Sequence, residues 1–309
     1  MATKSFKGTL NMTVNVISIS GGKDSTALAL LAIERNVENL RFVFCNTGNE
    51  AQETLDYIVY LDQILHSKKG RNIEVCEVSF RKKLIEKSVK VEDEKRKIAL
   101  AVAAFNPSPF LQLAALKGRF PSTMARFCTE ELKVKPIKGF VSRILETGED
   151  VENWSGVRAE ESPKRAKLPE REFFFANETT GAEAWHYRPI LKWSVNDCFE
   201  IMKRHGVKPN PLYKMGFARV GCFPCINCRK AELRLIAEQF PEHIRRIKVW
   251  ESIVSDASKR GKSTFFPIEN SRDGISAWVE WAKTDRGGKQ FMLDLEETTT
   301  CKSVYGLCE

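Results

Sequence analysis

Several things are scarce or missing in these 309 residues, and each absence excludes a class of protein. No apolar run is long enough to span a bilayer, so no membrane helix is expected. The first residues, Met1-Ala2-Thr3-Lys4-Ser5-Phe6-Lys7, lack the apolar stretch of a secretory signal. A cytoplasmic location with no membrane partner is therefore expected. Only four histidines occur (His66, His186, His205 and His243), and none are spaced as a metal-binding pair. No glycine stands four residues ahead of a Gly-Lys-Ser/Thr, so the P-loop of kinases and GTPases is excluded. There is no internal repeat and no low-complexity segment. Cysteine is not scarce, but its count of nine is odd. An odd count in an intracellular chain argues against a disulfide framework and for metal, cluster or redox chemistry.

The remaining composition is ordinary for a soluble globular protein. Apolar residues make up 42% and charged residues 29% of the chain. The length suits one large α/β domain with an appendage, or two domains. The net charge of +9 favours an anionic partner: a nucleotide, a nucleic acid or an acidic protein. The basic clusters Arg81-Lys82-Lys83, Lys95-Arg96-Lys97 and Arg245-Arg246-Ile247-Lys248, taken singly, read as solvated helix faces.

The most specific stretch is Ser20-Gly21-Gly22-Lys23-Asp24-Ser25. Val14, Val16, Ile17 and Ile19 before it read as a buried strand, and Thr26 to Ile33 after it as a helix packed on a sheet. A glycine turn between strand and helix exposes backbone N–H groups at the positive end of a helix dipole, the layout of a phosphate cradle. Gly21 and Gly22 allow close approach, Lys23 adds a mobile charge, and Ser20 and Ser25 add hydroxyl donors. The run resembles the pyrophosphate loop of the ATP pyrophosphatases, which split ATP between its α and β phosphates.

Downstream, Leu40 to Cys45 reads as a second strand ending in the turn Asn46-Thr47-Gly48-Asn49-Glu50. An amphipathic helix follows over Glu53 to Leu65, with Leu55, Ile58, Leu61 and Leu65 on one face. Ile73 to Val78 is a third strand by alternation. This β-α-β-α-β order implies a parallel twisted sheet with helices on both faces. Residues 81–120 break the rhythm and read as an insertion over the carboxyl edge of the sheet, either a helical pair or a partly mobile lid. Helices are expected over Lys133 to Leu145 and Asp197 to His205, and one or two over Glu232 to Ile253, interrupted near Pro241. Asn153 to Arg158 reads as a short strand with a basic loop, and Trp185 to Leu191 as extended. Two regions are expected: a nucleotide-binding domain over 1–235 and a helical or irregular extension over 236–309.

Gly221-Cys222-Phe223-Pro224-Cys225-Ile226-Asn227-Cys228 carries three cysteines at C-x₂-C-x₂-C spacing. Such spacing lets thiolates converge on one centre: an iron–sulfur cluster, for which a 4Fe-4S type is expected, or zinc. The alternative is three buried structural thiols with no metal. A fourth ligand is needed, or an exchangeable site; Cys128 is the first choice, with Cys301 and Cys308 as rivals. Cys45, Cys76 and Cys198 fall in strand or helix patterns and read as core.

Taken in order, these blocks resemble the phosphoadenosine phosphosulfate (PAPS) reductase family of the adenine nucleotide α-hydrolase-like superfamily. The resemblance covers roughly residues 13–230. It rests on Ser20 to Ser25, on Asn46-Thr47-Gly48 with Glu53-Thr54, and on Cys128 with Lys133. It continues through Gly156-Val157-Arg158 with Ser162 and Arg165, then Pro189-Ile190 with Trp193, Pro209-Asn210-Pro211-Leu212-Tyr213, and Gly216 to Cys225. Three departures stand out. The phosphate loop is intact, whereas sulfonucleotide-reducing members usually carry a degraded one. Thr129 follows Cys128 where iron–sulfur members have paired cysteines. The chain ends Tyr305-Gly306-Leu307-Cys308-Glu309, unlike the reductases' Glu-Cys-Gly-Leu-His segment.

The resemblance implies an ATP pyrophosphatase that adenylates an oxygen of its substrate, after which sulfur displaces AMP; the enzymes of DNA phosphorothioation and tRNA thiolation are the models. Ser20, Gly21, Gly22, Lys23 and Ser25 would hold phosphate, with Asn46 to Gly48 near adenine. Asp24 would ligate Mg²⁺, or else cap the helix. Gly156, Arg158 and Arg165 would approach the phosphates, and Lys133 would contact phosphate or lie exposed. Cys128, Cys222, Cys225 and Cys228 would hold the cluster. The implied partners are an adenine nucleotide, a nucleic acid substrate and a sulfur-donor protein such as a cysteine desulfurase or a thioredoxin-like protein. Two alternatives stay open: a sulfonucleotide reductase whose Cys308 or Cys301 attacks the sulfate sulfur, and a non-catalytic nucleotide-binding subunit.

Overall fold

The architecture was analysed in a computed structural model, which describes residues 13–269, 272–285 and 305. The chain first forms β1 (Val14–Ile19), α1 (Lys23–Glu34), β2 (Leu40–Asn46), α2 (Gln52–Lys69) and β3 (Ile73–Glu77). Three helices follow: α3 (Arg81–Val89), α4 (Glu94–Phe105) and α5 (Pro109–Lys117). A short α6 (Phe127–Thr129) runs through a π-helical turn at Glu130–Val134 into α7 (Lys135–Leu145). Then come β4 (Val151–Trp154), α8 (Pro163–Ala166), β5 (Arg171–Ala176), β6 (Glu183–Tyr187) and α9 (Val195–Arg204). The remainder is helical: α10 (Lys230–Gln239), α11 (Pro241–Ala257) and α12 (Gly274–Ala282).

The six strands form one sheet in the order β3-β2-β1-β4-β6-β5. All neighbours are parallel except β5, which runs antiparallel to β6 at the edge. β1 is nearly continuous in apolar side chains and buried on both faces, as an interior parallel strand must be. From β1 the chain crosses to β2 on one side, while β4 pairs with β1 on the other. The crevice outside the carboxyl ends of β1 and β4 is thus the topological switch point where open α/β sheets bind ligands.

Helices cover both faces. α1 is buried around most of its circumference because α9 packs over it. α9 begins with a reciprocal cap: Ser194 Oγ accepts from Asp197 N–H, and the Asp197 carboxylate accepts from Ser194 N–H. On the opposite face Phe140, Val141, Ile144 and Leu145 of α7 pack on Val14, Val16 and Val43.

Segment 81–120 forms three helices, one more than the helical pair, because Ser108 and Pro109 supply an N-cap and first-turn proline that start α5 anew. These helices share a core with α10, α11 and α12, built on Leu84, Leu100, Phe110, Trp250, Phe265 and Ile275. Two segments far apart in sequence thus form one helical layer. Pro241 occupies the first turn of α11, dividing the expected 232–253 helix in two. β5 is unanticipated: its Arg-Glu-Phe-Phe-Phe-Ala sequence lacks period-2 alternation, and its edge position leaves most of it exposed. No helix among the described residues is long and apolar enough to cross a membrane.

His243 of α11 lies edge-on to Phe223, ring centres 5.0 Å apart, and its buried Nδ1 has no hydrogen-bond partner among the described residues. Burial, reinforced by the Arg246 charge, pushes its pKa down to about 4. The unfolded chain therefore takes up this proton first as pH falls. The contribution of neutral His243 is complete above the ordinary imidazole pKa of about 6.5 and is lost towards pH 4. Relative to His243→Gln, the native protein should lose on the order of 2 kcal/mol more stability between pH 7 and pH 4.5. Urea unfolding at the two pH values measures this; equal losses would refute it.

Candidate active site at the carboxyl edge of the sheet

The phosphate loop occupies the end of β1. Gly21 sits at φ +72°, in the left-handed region that a side chain disfavours, and this turns the chain into α1. Gly22 is the helix N-cap residue and supplies no side-chain cap. Among the described residues, the backbone N–H groups of Gly22, Asp24 and Ser25 have no acceptor, so the helix start presents free donors. Ser25 Oγ lies 3.1 Å from both Ser20 Oγ and Ser20 N, which ties the loop closed at its base.

Two residues from the connection after α9 clamp this loop from a distance in sequence. Asn210 donates through its side chain to Gly21 O at 3.1 Å, and Tyr213 OH accepts from Lys23 N–H at 2.8 Å. Lys23 Nζ stands 5.5 Å from the Tyr213 ring centre and 5.3 Å from that of Tyr305, with Asp24 Oδ2 at 3.7 Å. Tyr305 is itself held by a 2.7 Å bond to Ala218 O.

Asp24 and Arg158 meet across the switch point. Arg158 leaves β4 and is only 3% exposed. Its Nε donates to Asp24 Oδ1 at 2.5 Å, and its Nη1 to Glu160. Burial alone would depress its pKa, but the Asp24 and Glu160 carboxylates outweigh that and hold it above the usual value. Cys198 of α9 donates to the same Asp24 oxygen at 3.7 Å, and burial, with the nearby carboxylate, pushes this thiol up to about 12. Gly156 packs on the Asp24 backbone so closely that a Cβ there would lie 3.1 Å from the Asp24 carbonyl. Asp24 is thus not a side-chain helix cap: its Oδ1 is committed to Arg158, and its Oδ2 faces Lys23. Arg165, by contrast, is exposed on α8 and pairs with Glu161.

The turn after β2 joins the loop to the cysteines. Asn46 bonds Glu77 through Nδ2 and accepts from Gly48 N–H at 2.9 Å. Gly48, at φ +70°, lies under the start of α5; a Cβ would stand 2.6 Å from Pro109 Cδ. The Thr47 and Gly48 carbonyls accept from Phe110 N–H and Ser108 Oγ. Thr47 Oγ1 donates to the Glu50 carboxylate at 2.6 Å and lies 3.6 Å from Cys222 Sγ. Asn49 Nδ2 donates to Pro224 O at 2.9 Å, and Arg246 Nη2 donates to both Asn49 Oδ1 and Phe223 O at 2.8 Å.

Cys222 reaches this corner at Thr47, and Cys225 acts electrostatically on Cys128, Cys222 and Cys228. Burial raises the Cys128 thiol, and Cys225 raises it further. Burial raises Cys222 against the pull of Lys133, and raises Cys228 as well. Lys133, turned inward from the π-helical segment, faces Cys222, Glu50, Cys225 and Cys45, and the Cys222 charge chiefly raises its pKa. It is therefore not an exposed lysine. Asn227 N–H donates to Cys225 Sγ at 3.4 Å. The soft donors and the cation suit an iron–sulfur cluster or zinc. Among the described residues, however, no three Cys, His, Asp or Glu groups are close enough to form a closed metal site. Cys301 and Cys308 lie outside the described residues.

Sequence reasoning passed over Asn49, Glu50, Arg246 and Tyr305, and gave Asn210 and Tyr213 no contact with the loop. Only Asn210 and Tyr213 carried a signal, as part of a family block.

The model of the phosphoadenosine phosphosulfate reductase domain matches residues 14–228. An uncharacterized 37.8 kDa protein of Escherichia phage 186 is 41% identical, covering 96% of this chain and 97% of its own. The uncharacterized protein MJ0066 of Methanocaldococcus jannaschii is 25% identical over 79% of this chain, which spans 42% of that protein's length. The adenosine 5'-phosphosulfate reductase of Allochromatium vinosum is 30% identical over 44% of this chain and 51% of its own. Among solved structures, PAPS reductase from Candida auris aligns with a TM-score of 0.42 at 14% identity, covering 70% of this chain and 84% of that one.

Removing the Asp24 carboxylate leaves buried Arg158 with Glu160 alone. Asp24→Ala should destabilise the protein by about 2 kcal/mol. That is less than the roughly 3–5 kcal/mol of a fully buried pair, since the Asp24 side chain keeps 20% exposure. Urea unfolding of the variant tests this, and a loss below about 0.5 kcal/mol, the size of an ordinary surface substitution, would show that the pair anchors nothing.

Proposed function

Because the chain belongs to the phosphoadenosine phosphosulfate reductase domain family, we propose that it is an adenine nucleotide enzyme that splits ATP between the α and β phosphates. The supporting observation is the intact cradle: the free N–H groups of Gly22, Asp24 and Ser25 beside Lys23 Nζ at the switch point. In this reading the pyrophosphate lies on the helix start, where donors and dipole stabilise the charge that develops as it leaves. A substrate oxygen attacks the α phosphorus, pyrophosphate departs, and the substrate is adenylated. A sulfur nucleophile then displaces AMP.

The roles of the side chains follow from their contacts. Lys23, caged by Tyr213, contacts the leaving phosphates through Nζ. Asp24 and Arg158 hold the loop against β4, and Asp24 Oδ2 is the oxygen left to face a phosphate-bound Mg²⁺. Gly156 lets the chain after β4 pack directly on the Asp24 backbone. Cys128, Cys222, Cys225 and Cys228 would hold an iron–sulfur cluster, which supplies or positions sulfur when bound. The net charge of +9 suits a polyanionic acceptor such as a nucleic acid, with affinity that falls as salt rises.

One observation favours a second reading, sulfonucleotide reduction. Tyr305 stacks near Tyr213 and Lys23, and Cys308 follows only three residues later. Here the Cys308 thiolate would attack the sulfate sulfur, forming an S-sulfocysteine and releasing the nucleoside phosphate as the S–O bond breaks.

Pyrophosphate release from Mg-ATP by anaerobically purified protein, with candidate nucleic acids added, tests the first reading. Lys23→Ala should lower the rate about 100-fold, as for removal of one preorganised donor. A broad absorption near roughly 400 nm in the same sample would report cluster iron. No release under any addition, together with sulfite formation from a sulfonucleotide in the presence of a dithiol reductant, lost in Cys308→Ser, would replace it with the second. There the dithiol attacks the S-sulfocysteine sulfur and leaves as disulfide as sulfite departs.

A further inference from the structure

Two cysteines outside the candidate cluster stand side by side in the sheet. Cys45 of β2 and Cys76 of β3 are Cα partners in adjacent parallel strands. Neighbouring strands run about 4.7–4.9 Å apart, and disulfides bridge Cα separations of roughly 4.4–6.8 Å. Partners in register point to the same face, so the two sulfurs share the side covered by α7 and the π-helical turn before it. Each thiol is half-buried and free.

We propose that Cys45 and Cys76 form a redox-active dithiol that closes reversibly into a cross-strand disulfide on meeting a low-molecular-weight disulfide. The inference is independent of which nucleotide reaction the site performs.

The surroundings divide the labour between the two thiols. Cys76 is lowered from its ordinary pKa, first by the Cys45 thiol donating to it and then by the Arg143 and Arg41 charges, against burial and Glu74. Cys45 is raised by that same interaction and by burial, and its Sγ lies 3.9 Å from Lys133 O. Cys76 lies on the edge strand β3 beside the Arg143 and Arg41 charges and Cys45 on the interior strand β2, so Cys76 is the attacking thiolate and Cys45 the resolving thiol. The Cys76 thiolate attacks one sulfur of the external disulfide and releases one thiol. Cys45, giving up its proton, then attacks Cys76 Sγ and releases the second. Two protein thiols are oxidised, one external disulfide is reduced to two thiols, and both protons leave with them.

The pair lies one residue before the Asn46–Glu77 contact that opens the turn beside the phosphate loop.

The test is incubation of the full chain with oxidised glutathione, followed by alkylation and peptide mass mapping without reduction. The expected product is a Cys45–Cys76 linked peptide pair, lighter by two hydrogens, that reverts in reduced glutathione. Cys45→Ser should accumulate a stable glutathione adduct on Cys76. Absence of the link in the native chain overturns the inference, whether Cys76 stays reduced or stops at the adduct. A link that forms while the Cys45→Ser variant carries no adduct on Cys76 overturns the assigned order of attack.

Discussion

The site depends on a single charge pair across the switch point of the sheet. Arg158 is too buried to remain without a counter-ion, and Asp24 supplies one from the first turn of α1. That contact pins the helix carrying the phosphate loop to the strand on the other side of the crevice. Gly156 makes the approach sterically possible. The free amides at the start of α1 therefore face the crevice in one fixed orientation. Arginine suits this position because it stays charged and donates to Asp24 and Glu160 from a rigid fork.

A second set of contacts couples the phosphate loop to the cysteines. Asn210 and Tyr213 hold the loop from one side. The turn at Thr47 to Glu50 reaches Cys222, and Arg246 braces the same turn and the cysteine loop from α11. Lys133 places its charge among the thiols and Glu50. Nucleotide and sulfur chemistry would thus be neighbours in one corner of the fold. The helical layer formed by segment 81–120 and the C-terminal helices covers that corner and supplies Arg246, Ser108 and Pro109 to it.

The strand–turn–helix at Ser20 to Ser25 was legible because its six residues are contiguous and bracketed by a strand and a helix with clear periodicity. The cysteine triplet was legible for the same reason. The roles of Asp24 and Arg158 were not: a metal ligand or helix cap and a phosphate-binding cation are the natural roles for each taken alone, and only their meeting makes them an ion pair. Arg246 read as part of a solvated basic face, yet its guanidinium reaches inward to Asn49. β5 was missed because three consecutive phenylalanines carry no strand period.

The sequence by itself determined the local events: where strand passes into helix, which turn must be glycine, and where thiols and hydroxyls cluster. Those outcomes depend on backbone sterics and hydrogen bonds spanning a few residues. Tertiary structure alone decided the partners: Arg158 on Asp24, Tyr213 under Lys23 across 190 positions, Cys45 beside Cys76, and two remote segments merged in one helical core. Burial decides those contacts, because a charge or an amide excluded from water must take whatever complementary group packing brings within reach.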